Sequence, residues 1–194
     1  MTRDEALKFL YDHMESPNLR RHCIAVEAVM KALARHFADG SADAEAMADT
    51  WGIAGLLHDA DYELTKTDTQ QHTKKVIEWL AEYDTGDDIK NAIIAHGWGF
   101  VEGNPQPETK MEWSLYCCDE LTGFIVAVAL TRPSKQLAEV TVESIKKKWK
   151  EKSFAGGVDR SQVEQCQDRL NIPIEDFMQL GLTAMQGISK ELGL

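Results

Sequence analysis

The chain has 194 residues, 21 basic and 32 acidic, for a formal net charge of -11. That acidic excess opposes polyanions at long range, so neither a nucleic-acid duplex nor an anionic membrane is the expected partner, and the expected ligand is small. With 43% apolar residues, 5 Pro and 13 Gly, the composition supports a sizeable core and excludes the disordered and fibrous classes. Apolar residues recur at intervals of three and four almost throughout, which predicts an all-α fold, and the length predicts a single domain over 1–194. A first helix spans about Arg3 to Glu15 and stops at Ser16-Pro17, because a residue before proline avoids helical angles. A second runs from about Asn18 to Phe37 and ends at Asp39-Gly40-Ser41. The third covers about Asp43 to Asp59, the fourth about Thr69 to Tyr83, and the fifth Asp87 to His96. After a Gly- and Pro-rich loop through Pro107, a sixth spans about Glu108 to Leu130. A lysine-rich helix (about Val140 to Lys152), a Gly156-Gly157 break, a helix from about Asp159 to Leu170 and a last one from Pro173 to Leu192 complete the chain.

The opening MTRDEALKFL has two acids in five residues and no apolar stretch before a small-residue cleavage site, so a cytoplasmic location is expected. The longest apolar run, Phe124 to Leu130, is shorter than the roughly 18 to 20 residues of a membrane span. Four cysteines (Cys23, Cys117, Cys118, Cys166) show no CxxC spacing and read as reduced packing residues.

Phosphate-loop, GxSxG and HExxH signatures are all absent, and the Gly97, Gly99, Gly103 spacing does not match GxGxxG. The chemistry therefore falls to histidines and acids on apolar faces. His22 shares a stripe with Val26, Val29 and Leu33; His72 aligns with Val76, Trp79 and Tyr83; His96 lies in line with Ile89, Ala92 and Ile93. Asp119 is flanked on its face by Leu115, Gly123 and Val126, where an unpaired carboxylate costs several kcal/mol, so a cationic group is required beside it. His58-Asp59 closes the apolar helix WGIAGLL, with two ligand types about 100° apart. Each histidine alone also reads as a hydrogen-bonded core residue, and Asp119 as the partner of a buried Arg or Lys. His36 is about 21 Å along its helix from His22 and stands outside any shared site, and His13 reads as a structural residue at a helix C-terminus. Nitrogen and oxygen ligands in this mix suit a borderline or hard divalent metal.

The order of these groups resembles the HD-domain metal-dependent phosphohydrolases: RHCIAVE, the doublet in GLLHDADYE, His72 in QHTKKV, His96 in IIAHG and Asp119 in CCDELTG. The segments from TRPSKQLAEV onward resemble a group of predicted HD-superfamily hydrolases of about this length. The resemblance implies an all-α helical bundle around a metal site, with a metal core over about 18–130 and a helical extension over about 131–194. It implies one or two divalent ions per chain (Mn, Fe, Ni, Zn, Co or Mg), with His22, His58, Asp59 and Asp119 on the first and Asp59 bridging to a second held by His72 and His96. Tyr62 stands where HDIGK-type members carry lysine, no GYP tripeptide follows, and Gly97 stands where a further His would strengthen the second site. Cyclic-dinucleotide cleavage is therefore not implied.

The activity expected is hydrolysis of a small phosphate ester, such as a nucleotide, by metal-activated water with Asp59 in the catalytic set. Asp61 is the candidate for orienting water or protonating the leaving group, and Arg21 and Lys66 are the candidate phosphate-binding cations. Two other classes fit the same residues: a di-iron HD-type oxygenase, and a non-catalytic regulatory module braced by metal. The segment holding Lys146, Lys147, Lys148, Lys150 and Lys152 reads as a solvated face, or as a basic rim returning to the pocket mouth.

Overall fold

The computed structural model describes residues 1–194 as eleven α-helices and two short 3₁₀ turns, with no β-strand. Helix α1 (Arg3–His13) opens on a capping box: the Thr2 hydroxyl accepts from the Glu5 N–H, and the Glu5 carboxylate accepts from the Thr2 N–H. It ends two residues before the expected Glu15 because Met14 is already extended. Helix α2 (Pro17–Ala38) starts one residue earlier than expected, with Ser16 as its N-cap and Pro17 in the first turn, where the missing N–H costs nothing. Left-handed Asp39 ends it.

Helix α3 (Ala44–Leu57) packs along α2 at a separation that Gly55 permits. A Cβ at Gly55 would lie 3.0 Å from both the Glu27 nitrogen and the Val26 carbonyl carbon. On α2, Glu27 is buried in this region, and its charge is met by Arg3 and by Lys31 at 2.8 Å, which offsets the desolvation of the carboxylate. A tight turn leads from α3 into the single-turn helix α4 (Tyr62–Thr65).

The expected continuous helix from Thr69 to Tyr83 is broken. Residues Thr69–Gln71 form a 3₁₀ turn, His72 is non-helical, Thr73 has φ of 66°, and α5 covers only Lys74–Leu80. The cause is long-range: the Asp61 carboxylate accepts from the Val76 N–H at 3.0 Å and so caps α5 from another segment. Helix α6 (Asp87–His96) matches expectation.

Helix α7 (Lys110–Leu130) is opened by a second capping box, Thr109 with Glu112. It has the length and hydropathy of a membrane span, but 67% of the relevant window is buried inside the fold. Leu115, Leu121, Phe124, Ile125 and Val128 on it are fully buried, each contributing about 1.5–3 kcal/mol on removal from water. Beyond a 3₁₀ turn at Leu137–Glu139, α8 (Val142–Trp149) begins later than expected, because Thr141 caps it. Helices α9 (Arg160–Leu170) and α10 (Ile174–Gly187) pack on α7, and a break at Ile188 separates α10 from α11 (Ser189–Leu192), which rests on α2. One buried apolar cluster runs from Ala6 to Leu192, so the C-terminal helices share the core of the preceding ones. All four cysteines are free and buried within it.

Candidate metal centre

Five segments converge on one point. His22 comes from α2, His58 and Asp59 from the turn after α3, His72 from the break before α5, His96 from the last residue of α6, and Asp119 from the middle of α7. Asp59 Oδ2 lies 3.6 Å from both His22 Nε2 and His58 Nε2, while its Oδ1 lies 3.4 Å from His72 Nε2 and 3.7 Å from His96 Nε2. Asp119 Oδ1 is 2.9 Å from His22 Nε2 and 3.5 Å from His58 Nε2. The cationic groups that Asp119 requires are thus imidazoles; no lysine or arginine nitrogen stands beside it.

The far side of each ring explains why all four histidines present Nε2. His58 Nδ1 donates to the Gly55 carbonyl at 2.8 Å, His96 Nδ1 to the Ile93 carbonyl, and His72 Nδ1 to Asp61 Oδ1 at 2.8 Å. The Thr122 hydroxyl gives its own proton to the Asp119 carbonyl, so it accepts from His22 Nδ1 at 3.3 Å. With the Nδ1 protons assigned by those acceptors, the rings turn Nε2 toward two carboxylates, where Nε2 is an N–H if a proton balances the cluster and a ligand lone pair if a cation takes that proton's place. His58 Nε2 is buried and lacks any hydrogen-bond partner. Outer-sphere acceptors that fix the tautomer are what metal-ligating histidines require, so the donor set fits a divalent ion.

Electrostatics agree. Burial alone would lower the His58 pKa, but Asp59 and Asp119 outweigh it and hold it up at about 9. Burial likewise opposes charge on Asp59 and Asp119, and the facing imidazoles overrule it, holding both carboxyls well below the usual range. At His96 burial prevails and lowers the pKa. Protons therefore balance the carboxylates in the metal-free cluster, and a cation entering it releases them.

The cluster opens into a cavity of about 470 Å³ that is also lined by Leu19, Tyr62, Thr65, Phe100 and Glu120. Tyr62 and Phe100 remain 40% and 47% exposed, which puts two aromatic faces within reach of an entering ligand. Glu120 accepts from the Asp159 N–H at 3.1 Å, and burial together with Asp119 pushes its carboxyl up to about 7. The stripe around Asp119 does not single out Glu120; its signal in the sequence is an adjacent acidic pair in an apolar helix.

Asp61 is fully buried, with one oxygen on His72 and the other on the Val76 N–H, and it does not line the cavity. Arg21 lines a neighbouring cavity, and Lys66 is exposed and lines neither. None of the five lysines from Lys146 to Lys152 lines the metal cavity; Lys146 pairs with Glu175 and Lys148 with Glu151, so the solvated-face reading stands over the basic rim. His36 is exposed, and His13 stacks on Trp79 at 4.3 Å, both away from the centre.

The family model described as HD domain matches residues 19–118, more than half of the chain, and ends one residue before Asp119. The chain belongs to the HD domain family, a superfamily of metal-dependent phosphohydrolases that bind divalent metals. No curated protein and no solved structure matches it.

Proposed function

We propose that this protein hydrolyses a small phosphate ester, with His22, His58, Asp59 and Asp119 holding one divalent ion and Asp59, His72 and His96 holding a second. The observation that carries this reading is the set of four imidazoles, each anchored through Nδ1, whose Nε2 atoms surround two carboxylates at the base of an open cavity of about 470 Å³. A bound divalent ion supplies water with a pKa lowered to about 7 and a Lewis acid for the phosphoryl oxygen.

The chain's own residues supply the rest. Asp59 offers one oxygen to each side of the cluster and so sets the spacing of two ligand groups. Gly55, Ile93, Thr122 and Asp61 hold the rings in place from behind, which limits reorganisation when charge develops. Asp61 is a positioning residue in this scheme, since both of its oxygens are engaged away from the cavity. Tyr62 and Phe100 flank the substrate and exclude water from it.

Metal analysis of freshly purified protein, followed by a screen of phosphomonoesters and cyclic nucleotides with Mn, Co, Ni and Mg, tests the reading. Release of phosphate or opening of the cyclic ester supports it. Visible absorption that responds to dioxygen, without any phosphate chemistry, overturns it in favour of a di-iron oxygenase. A folded, metal-loaded protein that turns over none of these substrates overturns it in favour of a binding module.

A further inference from the structure

A second cavity, of about 440 Å³, adjoins the metal cavity, and His22 and Gly123 line both. Ala25 of α2, Val126 and Leu130 of α7, and Leu192 and Leu194 at the C-terminal end give it an apolar wall. Two cations stand on that wall, Arg21 and Lys135. Neither forms a salt bridge with an Asp or Glu side chain, and the Arg21 guanidinium makes one long hydrogen bond, 3.4 Å, from Nη1 to Asn18 Oδ1. In a chain of net charge -11, two unpaired cations on one apolar wall form a local site for an anion. Lys135 is also held with φ of 56°, a left-handed conformation that an L side chain rarely adopts.

Gly123 joins the two spaces. It lies inside α7, where glycine is a poor helix former, and a Cβ built on it meets nothing within 4 Å. Packing between helices does not require a glycine there; any side chain would occupy the open space shared by the two cavities.

We propose that this second cavity is the subsite for the alcohol part of the substrate, and that it selects an apolar chain ending in an anionic group, which Arg21 and Lys135 receive. The inference rests on the phosphohydrolase reading above. In that reaction the oxygen of water forms a bond to phosphorus, the bond from phosphorus to the alkyl oxygen breaks, and one proton from water ends on the departing alcohol. The alcohol lies across Gly123 from the reacting phosphoryl group, so its remote contacts position the bond that breaks.

The test uses three phosphate monoesters with the metal-loaded full chain: methyl phosphate, hexyl phosphate, and the phosphate ester of 6-hydroxyhexanoate. Turnover of each is compared in the parent, in Gly123→Leu, and in the double variant Arg21→Glu with Lys135→Glu. The parent is expected to favour the carboxylate-bearing ester over hexyl phosphate, and hexyl over methyl phosphate, in kcat/KM. Gly123→Leu should reduce the ratio of either long ester to methyl phosphate by about tenfold or more, the scale of a blocked apolar pocket. The double variant, at two exposed positions, should remove the carboxylate preference, and in the parent that preference should shrink with added salt. A second measurement needs no turnover: binding of 6-hydroxyhexanoate itself, followed by ligand-observed NMR in all three proteins, should be present only in the parent.

Binding of 6-hydroxyhexanoate that both variants abolish, without turnover of any ester, supports the subsite and overturns the phosphohydrolase reading. Turnover of all three esters with ratios unchanged in the double variant overturns the subsite and leaves the hydrolase reading standing. Absence of both binding and turnover overturns both.

Discussion

His72 Nε2 and His96 Nε2 lie 3.0 Å apart, with the Nδ1 proton of one ring on Asp61 and that of the other on the Ile93 carbonyl. Two neutral rings so anchored direct lone pairs at each other, an arrangement that only a shared proton or a cation makes favourable. His22 and His58 sit on the opposite oxygen of Asp59 and share Asp119. The two pairs should therefore fail differently. Replacing His72 or His96 by Ala should lower metal content from about two ions toward one, whereas His22→Ala or His58→Ala should weaken the ion that Asp119 holds. Equal and complete loss from all four variants, measured by elemental analysis, would show one shared ion instead.

Asp59→Ala removes the group that faces all four imidazoles and should empty the site and abolish turnover together. Helical content should persist, because the apolar cluster running from Ala6 to Leu192 stays in place without it. Circular dichroism beside elemental analysis separates the two effects, and a variant that retains its full metal content would disprove the ligand assignment.

Asp61→Asn tests the support behind His72. An amide has one acceptor oxygen for two donors, so either the His72 Nδ1–H or the Val76 N–H loses its acceptor. Metal affinity should fall by about 10- to 100-fold, as for other outer-sphere carboxylates, and stability by about 1 kcal/mol from the lost cap of α5. A chelator competition assay measures the first effect and thermal unfolding the second; unchanged affinity would remove Asp61 from the site.

These tests divide along what the sequence made legible. The stripes around His22, His96 and Asp119 lay within single helices, so a 3.6-residue period was enough to place them. For His72 the 3.6-residue period predicts a helical position that the structure breaks, because the cap on α5 comes from Asp61, 15 positions from Val76, and Thr73 takes φ of 66°. Asp61 reads from the sequence as a group that orients water or protonates the leaving group, and its burial is visible only once α5 is folded against it. Likewise the second cavity joins residues near 21, 123 and 193, three segments that no local pattern connects.

The buried thiols predict an alkaline limit to stability. Burial, with Glu164 and Asp168 adding to it, pushes Cys166 up to about 12, and burial also raises Cys23, Cys117 and Cys118. A thiol whose folded pKa exceeds its unfolded value binds its proton more tightly in the native state, so its contribution is complete below the unfolded pKa near 9. For Cys166 that contribution is lost as pH rises from about 9 to about 12. Denaturant midpoints should accordingly fall across this window, and Cys166→Ser should flatten part of the fall. At pH 8 a thiol reagent should label the native protein slowly, on the timescale of opening; rapid labelling of all four cysteines would contradict their burial.

Two glycines within helices provide a paired test of the α2–α3 contact. At Gly55 a methyl group would press against the α2 backbone, at 3.0 Å from Glu27 N and Val26 C, and neither atom is the end of a flexible side chain that can swing aside. Gly55→Ala should therefore cost about 1–3 kcal/mol as the helices separate. At Gly187, by contrast, a Cβ meets nothing within 4 Å at the end of α10, so Gly187→Ala should gain about 0.4–1 kcal/mol by restricting the unfolded chain. For a domain of this size the melting temperature should move by about 2–4 °C per kcal/mol, downward for the first variant and upward for the second. The Gly55 carbonyl also holds the His58 ring, so separation of α2 from α3 should shift His58 Nε2 and weaken metal binding in Gly55→Ala while Gly187→Ala retains parental affinity. A Gly55→Ala protein with parental melting temperature and metal affinity would show that α2 and α3 do not set the position of His58.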